Sequence, residues 1–173
     1  VAIWAPNSRQ WIVTAVGAMI CGAAIVPLNT RLKGMEADDI LRRTDARLLF
    51  ITQGFLGNDY RAMIADQSLP DLAQVICFQT GWDAFRAEGT VDDAAVDLAF
   101  ARVTADHVSD ILFTSGTTGR AKGCLHSHNS AIAAGMTLVV TCGITTQDIL
   151  FSSNPLFHVS GLQPVLAALI SGA

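Results

Sequence analysis

The sequence predicts an α/β fold, a mostly parallel sheet covered by helices on both faces, and three observations carry that prediction. Short apolar runs alternate with helical stretches three times before residue 80. The runs are nearly continuous in apolar residues instead of alternating apolar with polar, as strands buried on both faces require. After a break at 81–106, a further apolar run feeds a glycine-rich loop and then a helix.

The first unit opens with Val1 to Ala5, an apolar run stopped by Pro6-Asn7, and Ser8 stands as the N-cap of a helix from Arg9 to about Cys21. Ala24-Ile25-Val26 is the second strand. The polar turn Asn29 to Lys33 leads into a helix across Glu36 to Thr44, with acids early and arginines late, as the helix dipole favours. Arg47 to Thr52 reads as a third strand, Asp59 to Ser68 as a third helix and Gln74 to Phe78 as a fourth strand. From Gly81 to Asp106 the text turns acidic, small and aperiodic past a short helix start at Trp82 to Phe85, and is taken as a connector. Beyond it come a strand Asp110 to Phe113, the loop, a helix His128 to Cys142, a strand Asp148 to Ser152 and a closing helix Leu162 to Ser171. The expected division is 1–80, a first α/β region; 81–106, a connector; and 107–173, a loop-bearing α/β region incomplete at its end. Both ends fall abruptly within this pattern and are expected to be cut from a longer chain.

Composition narrows the function classes. Hydrophobic residues make up 51% and charged residues 15% of the 173, which excludes disorder. A net charge of -4 with scattered basic residues gives nucleic acid no electrostatic footprint. Cys21, Cys77, Cys124 and Cys142 form no paired motif, so they read as reduced cysteines of a cytoplasmic protein. The uncharged stretches Trp11–Thr30 and Ile149–Ala173 are long enough for a span, but glycines, prolines and polar residues interrupt both, and a buried helix beside a buried strand explains them better.

The chemistry concentrates in Thr114-Ser115-Gly116-Thr117-Thr118-Gly119-Arg120-Ala121-Lys122-Gly123, with three glycines, four hydroxyls, an arginine and a lysine. Glycines let backbone N–H groups approach an anion, hydroxyls donate to phosphate oxygens and a lysine supplies a point charge. The Walker spacing fails, because Ala121 stands at its second glycine and Lys122 precedes Gly123. The dinucleotide spacing fails as well, since Thr117 and Thr118 separate Gly116 from Gly119. Cys124, His126 and His128 lie close in sequence, yet a zinc site wants further ligands, and Ser127 reads as a cap with His128 in the first helical turn. Trp11, Met19 and Ile20 read as core.

The run from Phe113 to Gly123 resembles the signature of the adenylate-forming superfamily of acyl-CoA ligases, luciferases and peptide-synthetase adenylation domains, with Ala121 where that family usually has proline. Val1 to Asn7 with Ala24 to Leu32 resembles its opening strands, and Asn154-Pro155-Leu156-Phe157-His158-Val159-Ser160-Gly161 resembles its next motif. With Asp39 to Thr44, the text is most similar to actinobacterial ligases for fatty or steroid-derived acids. The resemblance implies part of an N-terminal domain of an enzyme that uses ATP, Mg2+ and coenzyme A to turn a carboxylic acid into an acyl-adenylate and then a thioester. It implies that Thr114, Ser115, Gly116, Thr117, Thr118, Gly119 and Lys122 hold the β- and γ-phosphates. It also implies that Phe157, His158, Val159 and Gly161 line the acid pocket; the residues alone put His158 at the carboxyl end of the sheet, where ligands of open α/β folds collect, with a capping or core histidine as the alternative. No catalytic or metal residue is assigned. Other readings stay open: a carrier-protein thiol as acceptor, a phosphate-binding module without catalysis, and a homo-oligomer. The chain alone is expected to form no adenylate, because the family's adenine and ribose motifs, its hinge and its terminal lysine would follow Ala173.

Overall fold

A computed structural model describes residues 1–89, 92–114 and 120–173. Its centre is a parallel sheet of β1 (Ala2–Trp4), β2 (Val26–Pro27), β3 (Leu48–Ile51) and β4 (Gln74–Cys77) in the order β2-β1-β3-β4. The pleat of β1 sends Ala2 and Trp4 to one face and Ile3 and Ala5 to the other, and β3 does the same with Leu49 and Ile51 against Phe50. Each face therefore needs its own cover, which is why the strands are apolar throughout.

The first face lies under α2 (Gly34–Arg43), which buries Ala37, Ile40 and Leu41. The second lies under α1 (Arg9–Ile20), which buries Trp11 and Ala15. Met19 packs at the margin of that second cluster, so Trp11 and Met19 are core as their spacing suggests, and Ile20 is partly buried. Ser8 caps α1, its hydroxyl accepting from the Trp11 N–H at 3.1 Å. In the acidic connector stretch the chain forms two helices, α3 (Trp82–Glu88) and α4 (Asp93–Phe100), the first setting Trp82 and Phe85 edge-on against Phe50.

Beyond them, β5 (Val108–Thr114) runs beside β2. Ile25 donates to the Ser109 carbonyl and accepts from the Ile111 N–H, both at 2.9 Å. The chain then returns as β6 (Lys122–Ser127), antiparallel to β5 with Thr114 opposite Lys122. This strand differs from the expectation of a loop running directly into a helix. α5 (His128–Cys142) and α6 (Val159–Ser171) follow and pack on each other, with Gly135 close under Leu166 and Ile170.

Two further expectations are corrected. Asp59 to Ser68 is no α-helix. Asp59 caps the Ala62 N–H at 3.0 Å and its carbonyl takes one i to i+4 bond from Met63, but the bonds after it are i to i+3, leaving only the 3-10 turn Ala62–Ile64, while Tyr60 is drawn fully under β1. Asp148 to Ser152 is no strand. The Asp148 carboxylate closes a turn on Thr145, and Ile149 and Phe151 stand 97% and 90% exposed, with no neighbouring strand among the described residues. No helix of the described residues is long and apolar enough to cross a membrane.

Ser127 caps α5 through its hydroxyl, which accepts from the Ser130 N–H at 3.2 Å. Ser127→Ala is expected to cost about 1 kcal/mol, read as a lower urea midpoint of the intact protein with an unchanged slope.

Candidate functional site

The glycine-rich loop leaves β5 and returns through β6, so an antiparallel pair holds both its ends. Thr114 and Lys122 face each other across the last rung, with the Thr114 hydroxyl 3.5 Å from the Lys122 carbonyl. Ser115, Gly116, Thr117, Thr118 and Gly119 lie outside the described residues. Ser109 and Asp110, fully buried at the other end of β5, bind the hairpin internally. The Asp110 carboxylate takes the Ser109 hydroxyl at 2.7 Å and meets His126 Nδ1 at 2.6 Å. A buried carboxylate needs such partners, and sequence reasoning missed this pair. The signal was present, since an aspartate inside the apolar run of β5 has to be met by a donor on a neighbouring strand. The pairing gives His126 a structural use. Cys124, His126 and His128 form no metal-binding group among the described residues.

Beside the hairpin a cleft of about 470 Å³ opens over one end of the parallel sheet. Pro27, Asn29 and Leu32 form its floor, Met35, Glu36, Asp39 and Ile40 of α2 its wall, and Phe113, Thr114, Arg120 and Ala121 its rim. Phe157 and His158 close the far side. The structure thus brings Thr114, Phe157 and His158 to one space. Lys122 stands at the rung behind the rim without lining it. Val159 points instead into a small cavity of about 40 Å³ with Asp110 and His126. Gly161 is buried against Pro155 and does not reach the cleft.

His158 is the N-cap of α6. Its Nδ1 accepts from the Ser160 N–H at 3.2 Å and lies 2.8 Å from the Ser160 hydroxyl. The capping alternative is therefore realised, and the ring also lines the cleft. An accepting Nδ1 puts the proton of a neutral ring on Nε2.

The segment before His158 is pinned from far away in sequence. Asn7, at the end of β1, donates to the Asn154 carbonyl and accepts from the Leu156 N–H, both at 2.8 Å. The turn reading of Pro6-Asn7 did not anticipate this role. Pro164 inside α6 frees the Ser160 carbonyl, and the Asn154 amide donates to it at 3.4 Å.

Charge gathers on the α2 wall. Asp39 is shared by Arg120 and Arg43, and the Arg120 guanidinium beside it holds its carboxyl below the usual carboxylate range, with Arg43 adding to the effect. The same pairing raises Arg120 above its ordinary value.

Residues 1–173 match the sequence pattern of a family described as AMP-binding enzyme. The chain belongs to the AMP-binding enzyme family. A methyl-dioxo-octahydroindenyl-propanoyl:CoA ligase of Mycobacterium tuberculosis is 42% identical, over all of this chain and 35% of the relative. The inhibitor-bound N-terminal domain of FACL13 from Mycobacterium tuberculosis superposes with a TM-score of 0.79 at 26% identity, over 99% of this chain and 42% of that one. ATP-bound MatB from Rhodopseudomonas palustris superposes with a TM-score of 0.82 at 26% identity, over 100% of this chain and 33% of that one. This AMP-binding chain thus spans about a third of the length of the curated relatives it matches. Its mostly parallel sheet with helices is the fold of N-terminal domains in adenylate-forming enzymes.

Proposed function

We propose that the protein carrying this chain joins a carboxylic acid to coenzyme A at the expense of ATP, and that this chain supplies the grip on the departing pyrophosphate. The observation that supports it most is that Thr114 and Lys122, at the two ends of the glycine-rich run, face each other across the β5–β6 rung, with Thr114, Arg120 and Ala121 lining a cleft that also receives His158.

The residues present suit the groups required. Thr114 offers a hydroxyl, Lys122 offers a cation, and Ser115, Gly116, Thr117, Thr118 and Gly119 are proposed to add hydroxyl and backbone donors for the β- and γ-phosphates. ATP, with Mg2+ carried on its phosphates, supplies an α-phosphorus for the acid's carboxylate to attack, releasing pyrophosphate, and coenzyme A supplies the thiol that then displaces AMP. Preorganised donors stabilise the charge that accumulates on the leaving group more effectively than mobile water. Phe113, Met35, Leu32 and Phe157 make the cleft apolar enough for an acyl chain, with His158 and Phe157 proposed at its carboxylate end. Val159 and Gly161 then support that wall from behind.

The relative at 42% identity acts on a ring-bearing propanoic acid and FadD13 of Mycobacterium tuberculosis, at 28%, on long-chain fatty acids, which favours a steroid-derived or fatty acid as the substrate class and a role in lipid metabolism; a cytoplasmic location is part of this proposal. The domain division 1–80, 81–106 and 107–173 is kept as part of this proposal. The apolar faces left open at Leu125, Val140 and Ile149 are proposed contacts with the rest of the protein. The test is acid-dependent release of pyrophosphate by the intact protein across a panel of carboxylic acids. Release of pyrophosphate without orthophosphate, and a thioester only when coenzyme A is added, is expected. Orthophosphate release, or transfer to a carrier-protein thiol alone, would reject the coenzyme A ligase reading. The isolated chain is expected to give no exchange.

A further inference from the structure

α2 carries two aspartate–arginine pairs at i, i+4 spacing: Asp38 with Arg42 at 2.9 Å and Asp39 with Arg43 at 3.0 Å. The first is an ordinary pair on a helix surface. The second is extended across the fold. Arg43 Nη1 donates at 2.7 Å to the carbonyl of Ala121, 78 residues away, and its guanidinium lies 5.1 Å from the centre of the Phe113 ring. Asp39 in turn holds Arg120 through Nη2 and Nε.

Phe113 is on the limb that enters the phosphate loop, and Arg120 and Ala121 are on the limb that leaves it. One helix therefore grips both limbs. Stability is a weak reason for this arrangement, because the Arg120 side chain is 69% exposed and solvent-exposed ion pairs contribute little. What the contacts do fix is geometry. Each limb is tied to the α2 wall of the cleft that Asp39, Thr114 and Arg120 line together.

We propose that Asp39 is a positioning residue for the nucleotide: through Arg120 and Arg43 it sets where the limbs of the phosphate loop stand against α2, and so governs ATP affinity. This inference rests on the ligase reading and deepens it. The carboxylate touches no phosphate. Its negative charge would repel one directly, so removing that charge tests the two roles with opposite signs.

The experiment compares Asp39→Asn, Arg120→Gln and the double variant of the intact enzyme, with Asp38→Asn as the matched control on the same helix. Each single change is expected to raise KM for ATP about fivefold, the scale of one exposed ion pair, with kcat within twofold and the melting temperature unchanged. The double variant is expected to match Asp39→Asn, because that change already breaks the link to Arg120. Asp38→Asn is expected to leave KM for ATP as it was. Additive effects, an unchanged or lowered KM in Asp39→Asn, or an equal rise in Asp38→Asn would each overturn the proposal. Binding of a fluorescent mant-ATP by the same variants reads the link independently of turnover. Failure of the wild type to release pyrophosphate would therefore reject the ligase reading, whereas unaltered nucleotide binding in the variants would reject the positioning role.

Discussion

Trp4→Ala is expected to destabilise the protein by about 3–5 kcal/mol, the usual cost of truncating a fully buried large aromatic side chain. Trp4 is 0% exposed and tilts against Tyr60 with ring centroids 4.5 Å apart. Its indole N–H donates to the Asn29 carbonyl at 3.0 Å, and the Tyr60 hydroxyl donates to the next carbonyl, that of Thr30, at 2.9 Å. The two rings thus fill one face of the sheet and hold the chain just after β2, where Asn29 and Leu32 form the cleft floor. Alanine opens a cavity and takes the indole donor from the Asn29 carbonyl, which keeps only the Leu32 N–H at 3.0 Å. Trp4→Phe keeps most of the ring and loses the bond, so about 1–3 kcal/mol is expected for it. Urea unfolding of the intact protein measures both. A Trp4→Ala loss no larger than that of Trp4→Phe would show that the hydrogen bond, and not packing, carries the site.

The same residue shows why part of the fold can be read in the sequence. β1, β3 and β4 are buried on both faces, and a run such as Leu48–Ile51 with no polar break has few other uses. Ser8 and Ser127 could be placed as caps because a hydroxyl just before a helical stretch satisfies a local N–H, a contact that needs no knowledge of the tertiary fold.

The misread elements depend on distant partners. β6 is half-exposed and carries two glycine or small positions, so its pattern alone is weak; β5 and the Asp110–His126 contact make it a strand. The stretch 148–152 fails in the opposite way, with an apolar run and no ladder to join among the described residues. In the candidate site, the loop was legible from residue types. The α2 wall, the Asn7 anchor and the turn of Val159 away from the cleft were not, because Arg43 meets Ala121 across 78 positions and Asn7 meets Asn154 across 147.

Gly161→Ala is expected to impair both folding and catalysis, and the reason lies in the backbone. A Cβ at this position would stand 2.1 Å from the Pro155 carbonyl oxygen and 2.5 Å from its carbon, neither of which can swing aside as the end of a side chain could. α6 or the 154–155 segment must therefore move. Overpacking of this kind costs on the order of 1–3 kcal/mol. The segment that must move is the one Asn7 pins, and it carries Phe157 and His158 into the cleft. A displacement near 1 Å at a reacting centre can cost about a hundredfold in rate. The intact Gly161→Ala protein is thus expected to show a lowered melting temperature and a fall of about that size in acid-dependent pyrophosphate release, while mant-ATP binding stays close to wild type. By contrast Gly17→Ala, at a site where nothing lies within 4 Å of a new Cβ, should leave all three readings unchanged or raise stability slightly. Helix propensity favours alanine at both positions, so equal losses from the two substitutions would rule out the contact with Pro155 as the cause. A loss of nucleotide binding in Gly161→Ala would place His158 nearer the phosphates than the acid.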